Sequence, residues 1–170
     1  MTTNYAHRKE GRGSMSDVST FVKESNRIEG ILREPTKAEI GAHETLLATS
    51  TACLEEQSLV DFVAVIAPGK LLRQKRGMDV RVGSHIAPRG GPEISDRLIE
   101  ILTFAAEGAD PYEVHQRYER LHPFMDGNGR SGRALWLWQQ KHYFNYDRAL
   151  ALGFLHNWYY ASLSNFGVTP

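Results

Sequence analysis

A short stretch of the chain combines a histidine, a carboxylate, several glycines and two arginines in an order that suits a phosphorylated ligand. The glycines lead into a helical pattern, and a helix N-terminus offers unpaired backbone N–H groups and the positive end of the helix dipole. Glycine also lets the backbone approach a ligand closely. The stretch therefore predicts a loop that cradles phosphate. It reads His122-Pro123-Phe124-Met125-Asp126-Gly127-Asn128-Gly129-Arg130-Ser131-Gly132-Arg133.

Four side chains of this stretch suit a nucleotide and a proton transfer. Arg130 and Arg133 lie one helical turn apart, so their guanidinium groups face the same way and match a polyphosphate. Asp126 offers a hard oxygen ligand for the Mg²⁺ that accompanies such a ligand. The imidazole of His122 suits a general base at neutral pH. The residues alone indicate a metal–nucleotide site with a base, against the alternative of an ordinary turn between helices.

The composition restricts the class of protein. The 170 residues carry 20 Lys and Arg against 20 Asp and Glu, and 41% are hydrophobic, which predicts one globular domain of zero net charge. Zero net charge disfavours nucleic acid as a partner. No apolar run approaches a membrane span, and the polar N-terminus does not resemble a secretory signal, so we expect a cytoplasmic protein without membrane contact. The single cysteine, Cys53, excludes an intramolecular disulfide and is expected to be a buried or half-buried thiol.

The apolar periodicity predicts six or seven helices and one small β excursion, which gives a mostly α fold. Gly30 is typical of a helix C-terminus, Thr36 with Glu39 of a capping box, and Asp110 followed by Pro111 of a helix N-terminus. The last helix is expected to start near Asp147 and to extend beyond residue 154.

The stretch 122–133 closely resembles the signature of the Fic family (filamentation induced by cyclic AMP), H-x-F-x-[DE]-G-N-G-R-x-x-R, and meets all eight specified positions. The helical order and the β excursion upstream also fit, so the resemblance extends over about residues 16–165. It implies an all-α Fic fold with a small β-hairpin flap. The implied organisation is a flexible tail (1–14), an inhibitory helix with its connection (15–33) and a catalytic core (34–170).

The resemblance implies a nucleotidyltransferase that moves AMP from ATP to a Ser, Thr or Tyr hydroxyl of a target protein, with Mg²⁺, and that could modify itself. Another nucleotidyl or phosphoryl transfer, removal of AMP, and a non-catalytic ATP-sensing interaction protein remain as alternatives. The implied site consists of His122 as base, Phe124 as loop anchor, Asp126 for Mg²⁺, Gly127, Asn128 and Gly129 as anion cradle, Arg130 for the β-phosphate and Arg133 for the γ-phosphate.

A second pattern, Ser25-x-x-x-Glu29-Gly30, resembles the [ST]-x-x-x-E-[GN] motif of the Fic class with an N-terminal inhibitory helix. We expect Glu29 to pair with Arg133 in a bidentate bond and to keep that arginine from the γ-phosphate. Ser25, one turn earlier, would help to fix Glu29. The alternative is that Glu29 is a solvated charge at a helix end.

Three further predictions concern the surroundings of this site. The segment Val82, Gly83, Ser84, His85 and Ile86 resembles the Fic flap, which would dock a target segment by strand addition, or it is a structural hairpin. Residues Asn157, Tyr159 and Tyr160 are candidates for an adenine pocket or for core packing. The basic run Lys70, Arg73, Lys75 and Arg76 is expected to be a solvated face.

Overall fold

The structure, a computed structural model, describes residues 15–83 and 85–152, which fold mostly as α-helix. A 3₁₀ turn spans Thr51–Cys53, and strands β1 (Arg81–Val82) and β2 (His85–Ile86) form an antiparallel hairpin. The predicted helical fold with a small hairpin is therefore confirmed. The helices are α1 (Met15–Ile28), α2 (Lys37–Ala48), α3 (Glu56–Ile66), α4 (Glu93–Ala106), α5 (Pro111–Leu121), α6 (Asn128–Tyr143) and α7 (Tyr146–Leu152).

Helix ends lie where the local sequence predicts them. Thr36 and Glu39 form a capping box at the start of α2, and the Asp110 carboxylate accepts two backbone N–H groups at the start of α5. Gly30, with φ +75°, ends α1 in a Schellman arrangement. In that arrangement the N–H of Gly30 donates to the carbonyl of Arg27, and the N–H of Ile31 to that of Asn26.

Helix α6 forms the centre of the core. From Asn128 to Gln139 all but one of its residues are buried, as expected of a helix surrounded by other elements. Its largest fully buried side chain is Trp138. Helices α5, α2, α3, α7 and α1 all contact α6. Helix α1 packs into this core through Val18, Phe21 and Val22, which brings its C-terminal end beside the start of α6.

Two expectations about exposure to solvent are wrong. Cys53 is exposed rather than buried, because it lies on the 3₁₀ turn that links α2 and α3 at the surface. Arg73 does not belong to a solvated face, since its side chain is fully buried among backbone carbonyl groups. The tail 1–14, Ser84 of the flap, the end of the last predicted helix, and Asn157, Tyr159 and Tyr160 lie outside the described residues.

In the described ranges, none of the helices is long and apolar enough to cross a membrane.

The cap of α5 gives a first prediction. Replacing Asp110 by Ala leaves the N–H groups of Tyr112 and Glu113 without their acceptor, so the free energy of unfolding should fall by about 1 kcal/mol. Urea unfolding measures the change. Glu100→Ala, an exposed position on α4, is the control and should change stability by less than about 0.5 kcal/mol. Equal stability of Asp110→Ala and the parent protein would contradict the role of the cap.

Candidate active site

The loop between α5 and α6 is held by backbone bonds to residues 71–73 and, from within, by the Asn128 side chain. Phe124 is 1% exposed and forms a β-bridge with Leu72, as its predicted anchoring role requires. The Asn128 side chain accepts a hydrogen bond from the N–H of Phe124 and donates one to its carbonyl, both at 2.8 Å. The Asn128 amide is therefore directed into the loop, and only the backbone N–H of this residue remains for the predicted cradle.

The start of α6 has the features of an anion-binding helix N-terminus. Its N-cap, Gly127, has φ +80°, and no side chain caps the helix there. A Cβ at Gly127 would lie 3.1 Å from that of Ala67, so conformation and close packing both favour glycine at this position. The first-turn N–H groups have no partner within a helix. Asp126 is exposed, and one of its carboxylate oxygens accepts the N–H of Gly127 at 2.7 Å.

Arg130 lies beside this helix start with an incomplete set of partners. Its side chain is buried, and its Nη1 is 3.9 Å from Glu39 Oε1, which is long for a hydrogen bond. Among the described residues, no acceptor lies within hydrogen-bonding distance of Arg130 Nε. Burial lowers the pKa of the guanidinium, which still remains charged. A buried, charged donor without an acceptor fits a site for an anionic ligand.

Arg133, by contrast, is held through its Nε and Nη2 by α1 and by the residue that follows this helix. Its Nη2 donates to Glu29 Oε1 at 2.6 Å and to the Ser25 carbonyl at 3.0 Å, and its Nε donates to Ser25 Oγ at 2.9 Å. The structure thus has the contact between Glu29 and Arg133 that the sequence predicts. The expected bidentate geometry is wrong, because Ser25 takes the second edge of the guanidinium and leaves one N–O contact to Glu29.

Glu29 also reaches the start of α6. A Cβ added to Gly129 would collide with Glu29 Oε1 and would lie 3.1 Å from Arg133 Nη1. The carboxylate therefore lies against the backbone of the first turn, where a helix favours negative charge. Glu29 occupies the kind of position that a phosphate group would take.

His122 is held in an unusual conformation at the end of α5. It has φ +49° and ψ +63°, the left-handed region that costs a non-glycine residue about 1–2 kcal/mol. Its Nδ1 is 3.0 Å from the carbonyl oxygen of Glu119, and an oxygen of this kind only accepts. Nδ1 therefore carries the proton and Nε2 the free lone pair. Burial, with the nearby charges of Arg73 and His85, lowers the pKa of His122, so the ring is neutral at pH 7.

A mostly buried carboxylate that the sequence analysis did not select lies beside this histidine. Glu119 Oε2 is 3.8 Å from His122 Nδ1, and Oε1 is 3.7 Å from His115 Nε2. Gly132 permits this packing, because a Cβ there would lie 2.7 Å from Glu119 Oε1. Burial raises the pKa of Glu119 to about 7, although Arg133 acts against this shift. The available sequence signal was its spacing, one helical turn from both histidines.

The flap contacts the same end of α5. Its register pairs Val82 with His85, and Gly83 has φ +57° in the turn. The Nε2 atom of His85 is 3.0 Å from the carbonyl oxygen of Arg120 and donates to it. Ile86 is 75% exposed. The predicted hairpin therefore exists next to His122, while its docking of a target remains a prediction.

The imidazole directly after α5 and the uncapped first turn of α6 are the features expected of a site for a phosphorylated ligand. The Fic/DOC family model matches residues 111–139, which cover α5, the loop and most of α6. The resemblance to the Fic family is therefore confirmed over this unit, which contains His122 and both arginines. A search of curated proteins found no match to the chain.

The pKa of Glu119 gives a second prediction. Folding raises this pKa from about 4.5 to about 7, so protonated Glu119 stabilises the folded state. This contribution to the free energy of unfolding is lost as the pH rises through this range. Between pH 4.5 and pH 8 the parent protein should lose up to about 3 kcal/mol more stability than Glu119→Gln. Urea unfolding across this range measures the difference.

The comparison needs a matched control, because His115 is also buried and its pKa is lowered to about 3. His115 is present in the parent and the variant, so its contribution cancels. Glu113→Gln changes a half-exposed carboxylate on the same helix and should follow the parent protein. If Glu119→Gln loses as much stability as the parent on going to pH 8, the Glu119 carboxyl does not titrate as described.

Proposed function

We propose that the protein transfers AMP from ATP to a hydroxyl group of a protein and that Glu29 restrains this activity. Fic proteins commonly mediate AMP transfer or a related nucleotide transfer, which supports the class of reaction. The observation that carries the proposal is the fixed loop 122–128, which holds a neutral imidazole at one end and an uncapped helix N-terminus at the other. A base and a phosphate site are thereby held at a constant separation.

In the proposed reaction, His122 Nε2 accepts the proton of the target hydroxyl as its oxygen bonds to the α-phosphorus. The bond from this phosphorus to the bridging oxygen of the β-phosphate breaks, and pyrophosphate leaves. The first-turn N–H groups of α6 and the Arg130 guanidinium bind the phosphates of the leaving group. The Nδ1–H bond to the Glu119 carbonyl fixes the ring and its tautomer during the transfer.

Asp126 fits the Mg²⁺ that the family implies. It is exposed, and one carboxylate oxygen is engaged by the N–H of Gly127, which orients the group beside the start of α6. No group of three or more His, Cys, Asp or Glu side chains able to hold a metal occurs in residues 15–83 and 85–152. A single carboxylate suits Mg²⁺ that is bound mainly through phosphates and water. The ion would offset negative charge on the pyrophosphate.

The flap is the proposed docking element for the target segment. A hairpin of two short strands offers backbone groups for strand addition, and exposed Ile86 offers an apolar contact next to it. Recognition of this kind depends mainly on the target's main chain. The proposed target is a protein with an accessible Ser, Thr or Tyr hydroxyl. Another copy of this chain is one such target.

The restraint is the contact between Glu29 and Arg133. While Ser25 and Glu29 hold the guanidinium, Arg133 is not free to bind a γ-phosphate, and the carboxylate repels one at the first turn of α6. A charge-assisted hydrogen bond of this kind contributes about 1.5–3 kcal/mol, so the restraint is worth roughly 10- to 100-fold in rate.

Removing this carboxylate gives the third prediction. Glu29→Gly should raise self-labelling by AMP about 10- to 100-fold over the parent protein, because Arg133 loses its charged partner and the carboxylate leaves the first turn of α6. Incubation with α-³²P-labelled ATP, Mg²⁺ and cell lysate measures the labelling. His122→Ala in the Glu29→Gly protein should abolish it. Equal labelling of the parent protein and Glu29→Gly would contradict the inhibitory role of Glu29.

The controls separate the alternatives. Glu24→Ala changes another carboxylate on α1 without a described contact to the site and should label like the parent protein. Parallel reactions with α-labelled UTP, GTP and CTP test which nucleotide the protein prefers. Label that appears only from γ-labelled ATP would indicate phosphate transfer. Nucleotide binding without any label transfer from the Glu29→Gly protein would favour an ATP-sensing interaction protein.

The pKa of His122 gives the fourth prediction. Because burial lowers this pKa below its ordinary value of 6.5, the base stays unprotonated at mildly acidic pH. Loss of Glu29, which raises the pKa of His122, should lower it further in the activated variant. The transfer rate of Glu29→Gly should therefore reach half its maximum at a pH below 6.5. A half-maximal rate at or above pH 6.5 would contradict this environment for His122.

A further inference from the structure

Arg73 makes a set of contacts that neither the motif nor the proposed reaction explains. The side chain is fully buried, and each of its three nitrogens donates to backbone carbonyl oxygens. Nε donates to His122 at 2.6 Å and Nη2 to Leu121 at 2.7 Å. Nη1 donates to Met78 at 3.1 Å and to Pro88 at 2.8 Å. One guanidinium therefore joins the end of α5 to the two segments that flank the flap.

The two sets of carbonyls belong to different parts of the site. Leu121 is the last residue of α5 and His122 follows it, at the helix end where the last carbonyls lack intrahelical partners and favour a positive charge. Met78 and Pro88 enclose residues 79–87, which contain both flap strands. We call the contacts at residues 78, 79, 88, 90 and 91 the flap base. Arg73 thus hydrogen-bonds both the His122 backbone and the flap base.

The main chain of Arg73 makes the same connection. Its N–H donates to the carbonyl of Pro123 at 2.8 Å, and its carbonyl accepts the N–H of Gly91 at 2.9 Å. Gly90 fits into the flap base because a Cβ there would lie 2.6 Å from the Met78 carbonyl oxygen. The N–H of Gly90 donates to the Asp79 carboxylate at 2.9 Å. The flap base is therefore closely packed around the Arg73 guanidinium.

We propose that Arg73 is a positioning residue that sets the distance between the flap and the His122 ring, and so the place of the target hydroxyl relative to the base. This proposal rests on the proposed AMP transfer. It assigns to Arg73 no contact with ATP, since the side chain is fully buried and each of its three nitrogens donates to the protein backbone. The left-handed conformation of His122 requires such support, because the adjoining carbonyl would otherwise lose its donor in the interior.

The test is made in the Glu29→Gly protein and distinguishes the effect of the Arg73 charge from that of its planar shape. Arg73→Lys keeps the charge and loses the planar fork, whereas Arg73→Gln loses both. Transfer per folded molecule should fall about 10- to 100-fold in each variant, because a displaced base or hydroxyl loses alignment. The affinity for ATP should stay within about twofold of that of the Glu29→Gly protein, since Arg73 does not contact the proposed phosphate site. Exposed Arg76→Gln, on the same loop, is the control and should match the parent.

Two readouts do not depend on AMP transfer. Hydrogen exchange of the Gly90 and Gly91 amides should accelerate in both Arg73 variants if the side chain holds the flap base. The charge of Arg73 lowers the pKa of His122, so titration of the His122 ring by NMR should show a rise of this pKa in Arg73→Gln but not in Arg73→Lys. If the Glu29→Gly protein transfers no AMP, the proposed function fails, and these two measurements still decide the role of Arg73.

An outcome that overturns the proposal is a rate for Arg73→Lys within about twofold of the parent, or unchanged amide exchange at Gly90 and Gly91. If both Arg73 variants fail to fold, Asp79→Ala takes their place, because exposed Asp79 holds Gly90 from the solvent side. This variant should slow transfer to a protein target without weakening ATP binding. Unchanged transfer by Asp79→Ala would then refute the proposal that the flap base positions the target relative to His122.

Discussion

The four carbonyl groups at the C-terminal end of α5 need donors, and the way they obtain them organises the site. The Glu119 carbonyl accepts from the His122 ring, that of Arg120 from His85, and those of Leu121 and His122 from Arg73. Every helix end carries this requirement. Here the requirement is met by the residue proposed as the base, by the flap and by the side chain that joins them. These three donors therefore share one helix end, which fixes their positions relative to one another.

The start of α6 has the opposite requirement, since its first-turn N–H groups favour an anion. In this structure the Glu29 carboxylate lies there, close to the Gly129 backbone, and is bonded to Arg133. Under the proposed function, the γ-phosphate of ATP and the Glu29 carboxylate would satisfy the same electrostatic demand and would compete for one place. Competition of this kind needs no long-range conformational change. It requires only that the end of α1 can leave the first turn of α6, and Glu29 already lies beyond the last residue of that helix, with 38% of its side chain exposed.

Features encoded by neighbouring residues could be predicted from the sequence, and features encoded by distant packing could not. The capping box of Thr36, the cap at Asp110 and the C-terminal Gly30 depend on local geometry. The pairing of Glu29 with Arg133 followed from a motif, but its geometry depends on how Ser25 meets the guanidinium, which a motif does not contain. Arg73 was assigned to a solvated run because its carbonyl partners lie up to 49 residues away. Glu119 was missed because its pKa depends on the packing allowed by Gly132.

The two arginines of the loop differ in their partners, and under the proposed function this difference determines how restraint works. Arg130 has a buried Nε without an acceptor among the described residues, and it is not held by Ser25 or Glu29. Arg133 has its Nε and Nη2 engaged by Ser25 and Glu29, so a phosphate gains it only after α1 releases it. A nucleotide can therefore bind through Arg130 while its γ-phosphate is kept from Arg133. Glu29 then limits the alignment of the α-phosphorus with His122 more than the affinity for ATP, and inhibition appears in the rate of transfer before it appears in binding.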